Sequence, residues 1–165
     1  DGRFLSTGDA ETNANAPQLM GLGQTRYPLF ADDTRLAFRE ALSRLVQQLL
    51  SHGKHVVVVY PVPETGYDIP ATLALMKSRG EDPAEFTIPY SVYAQRQGKA
   101  IRILDSLGEH KMLSRIYPAR AICKGEQCKT YGRGAPLYFD SHHLSIPGAV
   151  RLEPALRAAI MRGQA

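Results

Sequence analysis

An α/β fold built on a parallel sheet is what this sequence predicts, and three observations carry it. His55-Val56-Val57-Val58-Val59-Tyr60 contains four consecutive valines, the mark of a strand buried on both faces. An amphipathic helical pattern runs directly into that strand. Beyond it the chain alternates in the order helix, strand, helices, strand, short strand, helix, which is the order of a parallel sheet with helical crossovers.

The elements follow from local chemistry. Residues 1–31 are rich in Gly, Asn, Ala, Thr and Pro and have no period. They are expected to be a long loop with at most one helical turn: a lid, an insertion or a severed connection. Asp32 or Asp33 can cap a helix that runs to about Ser51. Phe38, Leu42, Leu45, Val46 and Leu49 form its expected core-facing stripe, with Glu40 and Arg44 paired on the solvent side. His52-Gly53 supplies the stop. After the valine strand, Pro61-Val62-Pro63-Glu64-Thr65-Gly66 breaks the chain where open α/β sheets hold their ligands.

Residues 70–79 read as a short helix and 90–107 as a longer one, with Tyr93, Ala100, Ile103, Leu104 and Leu107 at helical spacing. Gly98 weakens that helix by about 1 kcal/mol relative to Ala. Met112 to Tyr117 reads as a second strand stopped by Pro118, and Pro136–Phe139 as a short third one. Ser145 can cap a helical turn. Pro154 opens a final helix from its first turn, with Leu156 and Ile160 expected inward.

Composition excludes several classes. The 165 residues suit one domain with a real core, and 44% hydrophobic with 22% charged residues is ordinary for a globular chain. The net charge of +4 is scattered, so no nucleic-acid partner is expected. No stretch reaches the roughly 18 apolar residues of a membrane span. The chain opens on Asp1-Gly2-Arg3-Phe4 without an initiator Met or leader, as a truncated product would. No phosphate-cradling loop or dinucleotide fingerprint appears.

The chemistry concentrates in Tyr138-Phe139-Asp140-Ser141-His142-His143-Leu144-Ser145. An Asp three residues before a His at a strand end can orient one ring nitrogen and leave the other to accept a proton from a hydroxyl. The spacing selects His143, and leaves His142 as a solvent-facing or packing neighbour. Adjacent His rings on such a turn are expected to point apart, which disfavours zinc. Ser145 suits a helix cap better than a nucleophile. Glu64 reads as a solvated loop carboxylate before a ligand contact, and His55 as a residue at a strand edge. Cys123 and Cys128, four residues apart around a Gly, can fold back into a disulfide. Reduced thiols and, less readily, half of a zinc site are the alternatives. A disulfide implies an oxidising compartment such as the periplasm.

The Pro-Val-Pro-Glu-x-Gly strand end, the Cys-x4-Cys loop, Leu137-Tyr138-x-Asp140-x-x-His143-Leu144-Ser145 and Gly148-Ala149 occur in an order that resembles the C-terminal half of the periplasmic SGNH domain of membrane O-acyltransferases. These acyltransferase-three proteins acetylate O-antigen and other surface polysaccharides. The resemblance covers about residues 34–157. It implies a three-layer, flavodoxin-like parallel sheet of which this chain holds the C-terminal half. It implies a Ser-His-Asp triad with Asp140 and His143 as two members. No Gly-Asp-Ser block is present, and the nearest string, Ser6-Thr7-Gly8-Asp9-Ala10, has Ala at the nucleophile's position. The serine and the oxyanion hole are therefore expected outside this chain, and the chain alone is expected to be inactive.

The implied function is transfer of an acyl group, acetyl derived from acetyl-CoA, to a sugar hydroxyl. A carbohydrate acceptor and the membrane acyltransferase domain of the same protein are the implied partners. No cofactor is expected in the chain itself. The implied location is the periplasm, tethered to the bacterial inner membrane. A carbohydrate or lipid esterase and a non-catalytic periplasmic binding module are the alternatives.

Overall fold

The computed structural model describes residues 32–163, with side chains from residue 35 onward. The expectations for residues 1–31 and for the Ser6–Ala10 string lie outside the described residues, and the Asp32 or Asp33 cap rests on side chains outside the described ones.

Helix α1 (Asp32–Ser51) leads into strand β1 (Val56–Val59), as the pattern requires. Helix α2 (Ile69–Ser78) is capped by the Asp68 side chain, which accepts from the Ala71 N–H, and carries Pro70 in its first turn. Strand β2 (Thr87–Pro89) leads into α3 (Tyr90–Asp105), and β3 (Leu113–Ile116) follows. β1 and β3 pair in parallel, Val56 opposite Leu113 through Val59 opposite Ile116. The Tyr60 hydroxyl donates to Asp105 across 2.7 Å and ties the end of β1 to the end of α3. The fold is thus α/β around a parallel pair.

Antiparallel pieces flank that pair. Pro118, read as a strand stop, also opens the short helix α4 (Pro118–Ile122). β4 (Cys123–Lys124) and β5 (Gln127–Lys129) form a hairpin, and β2 joins β5 on its other side. β6 (Tyr131–Gly132) and β7 (Ala135–Pro136) form a second hairpin. The strand expected over 136–139 is shorter than that: β7 ends at Pro136, and only a single bridge, Tyr138 to Leu144, continues it. The chain ends in α5 (Ile146–Ala149), a 3-10 turn and α6 (Glu153–Arg162).

Four burial expectations are corrected, the first two for one reason. The α1 stripe is mostly exposed: Val46 is buried, whereas Phe38 is 55% exposed and Leu45 and Leu49 also face solvent. β1 is not covered on both faces either, with Val56 to Val58 half-buried and Val59 exposed. The cause is common to both. Among the described residues the parallel sheet has two strands, too narrow to cover a helix stripe of that width or to enclose its own edge. On α3 Tyr93 is buried, but Ala100 is exposed. On α6 the inward residue is Ala159, while Ile160 is exposed.

The best-formed core lies elsewhere. Ile69, Leu73, Ile122, Cys128, Leu137 and Tyr138 pack together between α2, α4, the cysteine hairpin and the segment entering the Asp-His turn. This core is the floor beneath that turn. Among the described residues no helix is long and apolar enough to cross a membrane.

Candidate active site

The turn that carries the chemistry is pinned at its base. The Phe139 N–H donates to the His143 carbonyl at 2.8 Å, and the Ser145 N–H donates to the Leu137 carbonyl at 3.0 Å. Residues 140–142 form the tip. Thr65, fully buried at the end of the proline-rich loop, donates from its N–H and from its hydroxyl to the Ser141 carbonyl, both at 2.8 Å. A loop 76 residues away in sequence therefore holds the tip in place.

Asp140 does the local ordering. One carboxylate oxygen accepts from the backbone N–H groups of His142 and His143 at 2.8 and 2.7 Å. The other accepts from His143 Nδ1 at 2.7 Å. Partial burial works against the charge, but the backbone N–H of His142, the His143 ring and the backbone N–H of His143 outweigh it. They hold the carboxyl well below the usual carboxylate range. An ionised carboxylate only accepts, so Nδ1 carries a proton, and in the neutral imidazole Nε2 keeps its lone pair. The His143 side chain is 66% exposed and that of Asp140 34%. Among the described residues Nε2 has no hydrogen-bond partner. Asp140 and His143 are thus brought together as their spacing predicts, with the free nitrogen toward solvent.

The neighbours are settled by their contacts. Ser145 caps α5: its hydroxyl donates to the Pro136 carbonyl at 2.6 Å and accepts from the Gly148 N–H at 3.3 Å. Gly148 must be glycine, because a Cβ there would overlap the Leu137 carbonyl oxygen. His142 Nδ1 lies 2.8 Å from the Ser141 hydroxyl. Its ring lies against that of His143, with centroids 4.1 Å apart, so the expectation that the two rings point apart is corrected. Asp140, His142 and His143 bring ligand atoms within 4.8 Å of one another. Asp140 and Nδ1 of His143 already bond each other, so a metal held there through those two atoms would have to replace that bond.

Glu64 is more fixed than a solvated carboxylate, since it accepts from Arg96 Nε at 3.4 Å. His55 stands apart from the site and meets the Ser114 hydroxyl at 2.9 Å. Cys123 and Cys128 are joined by a disulfide as directly opposed residues of β4 and β5, with Cα atoms 3.7 Å apart. Sequence reasoning missed Thr65. A Thr inside a proline-broken strand end was the available signal, but nothing local names its partner.

Comparison with known proteins now gives the class. The profile of the SGNH domain (fused to AT3 domains) matches residues 6–158, so the chain belongs to that family. The match reaches further toward the N-terminus than the resemblance, which begins at about residue 34. Among solved structures, the chain is similar to the periplasmic domain of a lipopolysaccharide acetyltransferase from Salmonella ser. Paratyphi A. The TM-score is 0.58 and the identity 16%, over 81% of this chain and 53% of that one. At that identity the likeness concerns the fold, and the chain spans about half the length of that domain. No curated protein matches the chain.

Proposed function

We propose that this chain supplies the Asp and His of a Ser-His-Asp triad in an O-acyltransferase that acetylates a sugar hydroxyl of a surface polysaccharide or lipopolysaccharide. The observation that carries the reading is the Asp140–His143 pair, with Nδ1 bonded to an ionised carboxylate and Nε2 open. A serine from a part of the protein outside this chain would lie against Nε2. As its oxygen attacks the acyl carbonyl, its proton passes to Nε2, and Asp140 stabilises the imidazolium. Collapse of the tetrahedral intermediate expels the donor's leaving group, which takes that proton, and leaves an acyl-serine. The sugar hydroxyl then attacks the acyl-serine and gives its proton to Nε2. His143 returns the proton to the departing serine.

Fusion of family members to AT3 domains supports a membrane acyltransferase domain in the same polypeptide, and the similar periplasmic domain supports a periplasmic location; the acetyl group would originate from acetyl-CoA. The similar lipopolysaccharide acetyltransferase domain supports a carbohydrate acceptor. In the full-length protein, His143→Ala is expected to abolish acetylation of the surface polysaccharide and to leave thermal unfolding within about 2 °C of the parent. Near-normal acetylation in that variant would refute the role.

A further inference from the structure

A groove of about 610 Å³ opens between the β6–β7 hairpin and the α5–α6 segment. Leu137, Ile146, Pro147 and Val150 line it together with Arg133 and Arg151. It is joined to the catalytic turn. The bond from Ser145 N–H to the Leu137 carbonyl links its two walls, and Ile146 follows His143 by three residues. Ile146 is 82% exposed, so this apolar wall is open to a ligand. We propose that the groove is a subsite for a negatively charged substituent, carboxylate or phosphate, on the acceptor polysaccharide. This deepens the reading of the chain as part of a sugar O-acyltransferase and rests on it.

Two features of the arginines argue for an anion. Among the described residues neither guanidinium has a hydrogen bond or an ion pair, whereas Glu153, the one acidic residue lining the groove, accepts from Arg157 at 2.6 Å. Two planar forks without partners beside an apolar wall suit a carboxylate or phosphate, which each can bind through paired N–H groups. The C–H faces of the sugar ring would rest on Ile146 and Val150. The second feature is backbone strain. Arg133 has φ +53° and Gly134 φ +79°, a two-residue hairpin turn of the kind that favours Asn-Gly. Arg gains nothing from that conformation and is the only described non-glycine residue with positive φ. Such strain is kept where the side chain it presents is used.

The test is calorimetric titration of the full-length protein in detergent micelles with digalacturonate, galactose 6-phosphate and neutral digalactose. At least one charged probe is expected to bind about ten-fold or more tightly than digalactose, a gap of about 1.4 kcal/mol, and which one does so distinguishes carboxylate from phosphate. Arg133→Gly and Arg151→Ala are each expected to erase the preference, and Arg133→Gly to keep or raise the melting temperature by relieving the turn. Equal affinity for charged and neutral probes, or no binding of any, would overturn the proposal. So would an unchanged preference in either variant, or a fall in melting temperature in Arg133→Gly, which would make Arg133 a structural part of the hairpin. Binding is read without turnover, so His143→Ala should retain it. In His143→Ala, lost acetylation with the charge preference intact upholds the subsite; in the parent, normal acetylation with no charge preference sinks the subsite alone.

Discussion

Asp140→Asn separates orientation of the imidazole from integrity of the turn. In the parent, one oxygen accepts from the N–H groups of His142 and His143 and the other from His143 Nδ1. An asparagine keeps its oxygen on the two backbone donors, because no other arrangement satisfies them. Its NH2 then faces Nδ1. Two donors cannot pair, so the ring must move its proton to Nε2, and Nε2 loses the lone pair needed for the serine proton. The turn survives, since both backbone bonds remain. Bonds to a charged acceptor become bonds to a neutral one at a cost of about 1 kcal/mol, or about 3 °C in melting temperature. The reaction suffers far more, by about four orders of magnitude when a triad carboxylate is replaced in this way, or about 5.4 kcal/mol of barrier. The assay pairs acetyl incorporation by the full-length variant with its thermal unfolding. The same variant has an acid-side signature. The Asp140 carboxyl titrates below its unfolded range, so its stabilising contribution is complete above about pH 4 and is lost as pH falls through the folded value. Asp140→Asn should weaken less than the parent below about pH 4. Retention of more than about a tenth of the acetylation rate, or loss of activity only through unfolding, would refute the reasoning.

Other outcomes follow from the packing. Thr65→Val keeps the shape of a buried side chain but removes the hydroxyl bond to the Ser141 carbonyl; it should cost about 1 kcal/mol in chemical denaturation and lower the acetylation rate while the backbone bond still holds the tip. Reduction of the Cys123–Cys128 disulfide, or Cys123→Ser with Cys128→Ser, releases a five-residue separation and should cost about 2 kcal/mol, read as an earlier denaturation midpoint. Gly148→Ala places a methyl group on the Leu137 carbonyl and should destabilise by about 3 kcal/mol, visible as a large fall in melting temperature with lost acetylation.

The parts of this fold that were legible in the sequence are those whose causes are local. The apolar repeat of α1, the valine run of β1, the Ser145 cap and the Asp140–His143 spacing each lie within a few residues of what determines them. What stayed hidden depends on distant partners. Nothing near Thr65 announces a bond to Ser141, and nothing near Thr87–Pro89 announces pairing with β5. The apolar repeat on α1 specifies the helix but not its burial, because burial depends on the width of the sheet beneath it. The valines of β1 misled for the same reason: four in a row suit a central strand, but this strand has a single described neighbour. Pro118 marks the end of a strand and equally suits the first turn of a helix, and its local sequence announces only the former.

The account depends on which nitrogen of His143 carries the proton. Nitrogen-resolved NMR of the ring in the folded protein at pH 8 observes this directly. A protonated Nδ1 in slow exchange, with a bare Nε2 and a coupling lost in Asp140→Asn, is the expected result. A proton on Nε2 in the parent, or a ring that averages freely without engaging Asp140, would contradict the account.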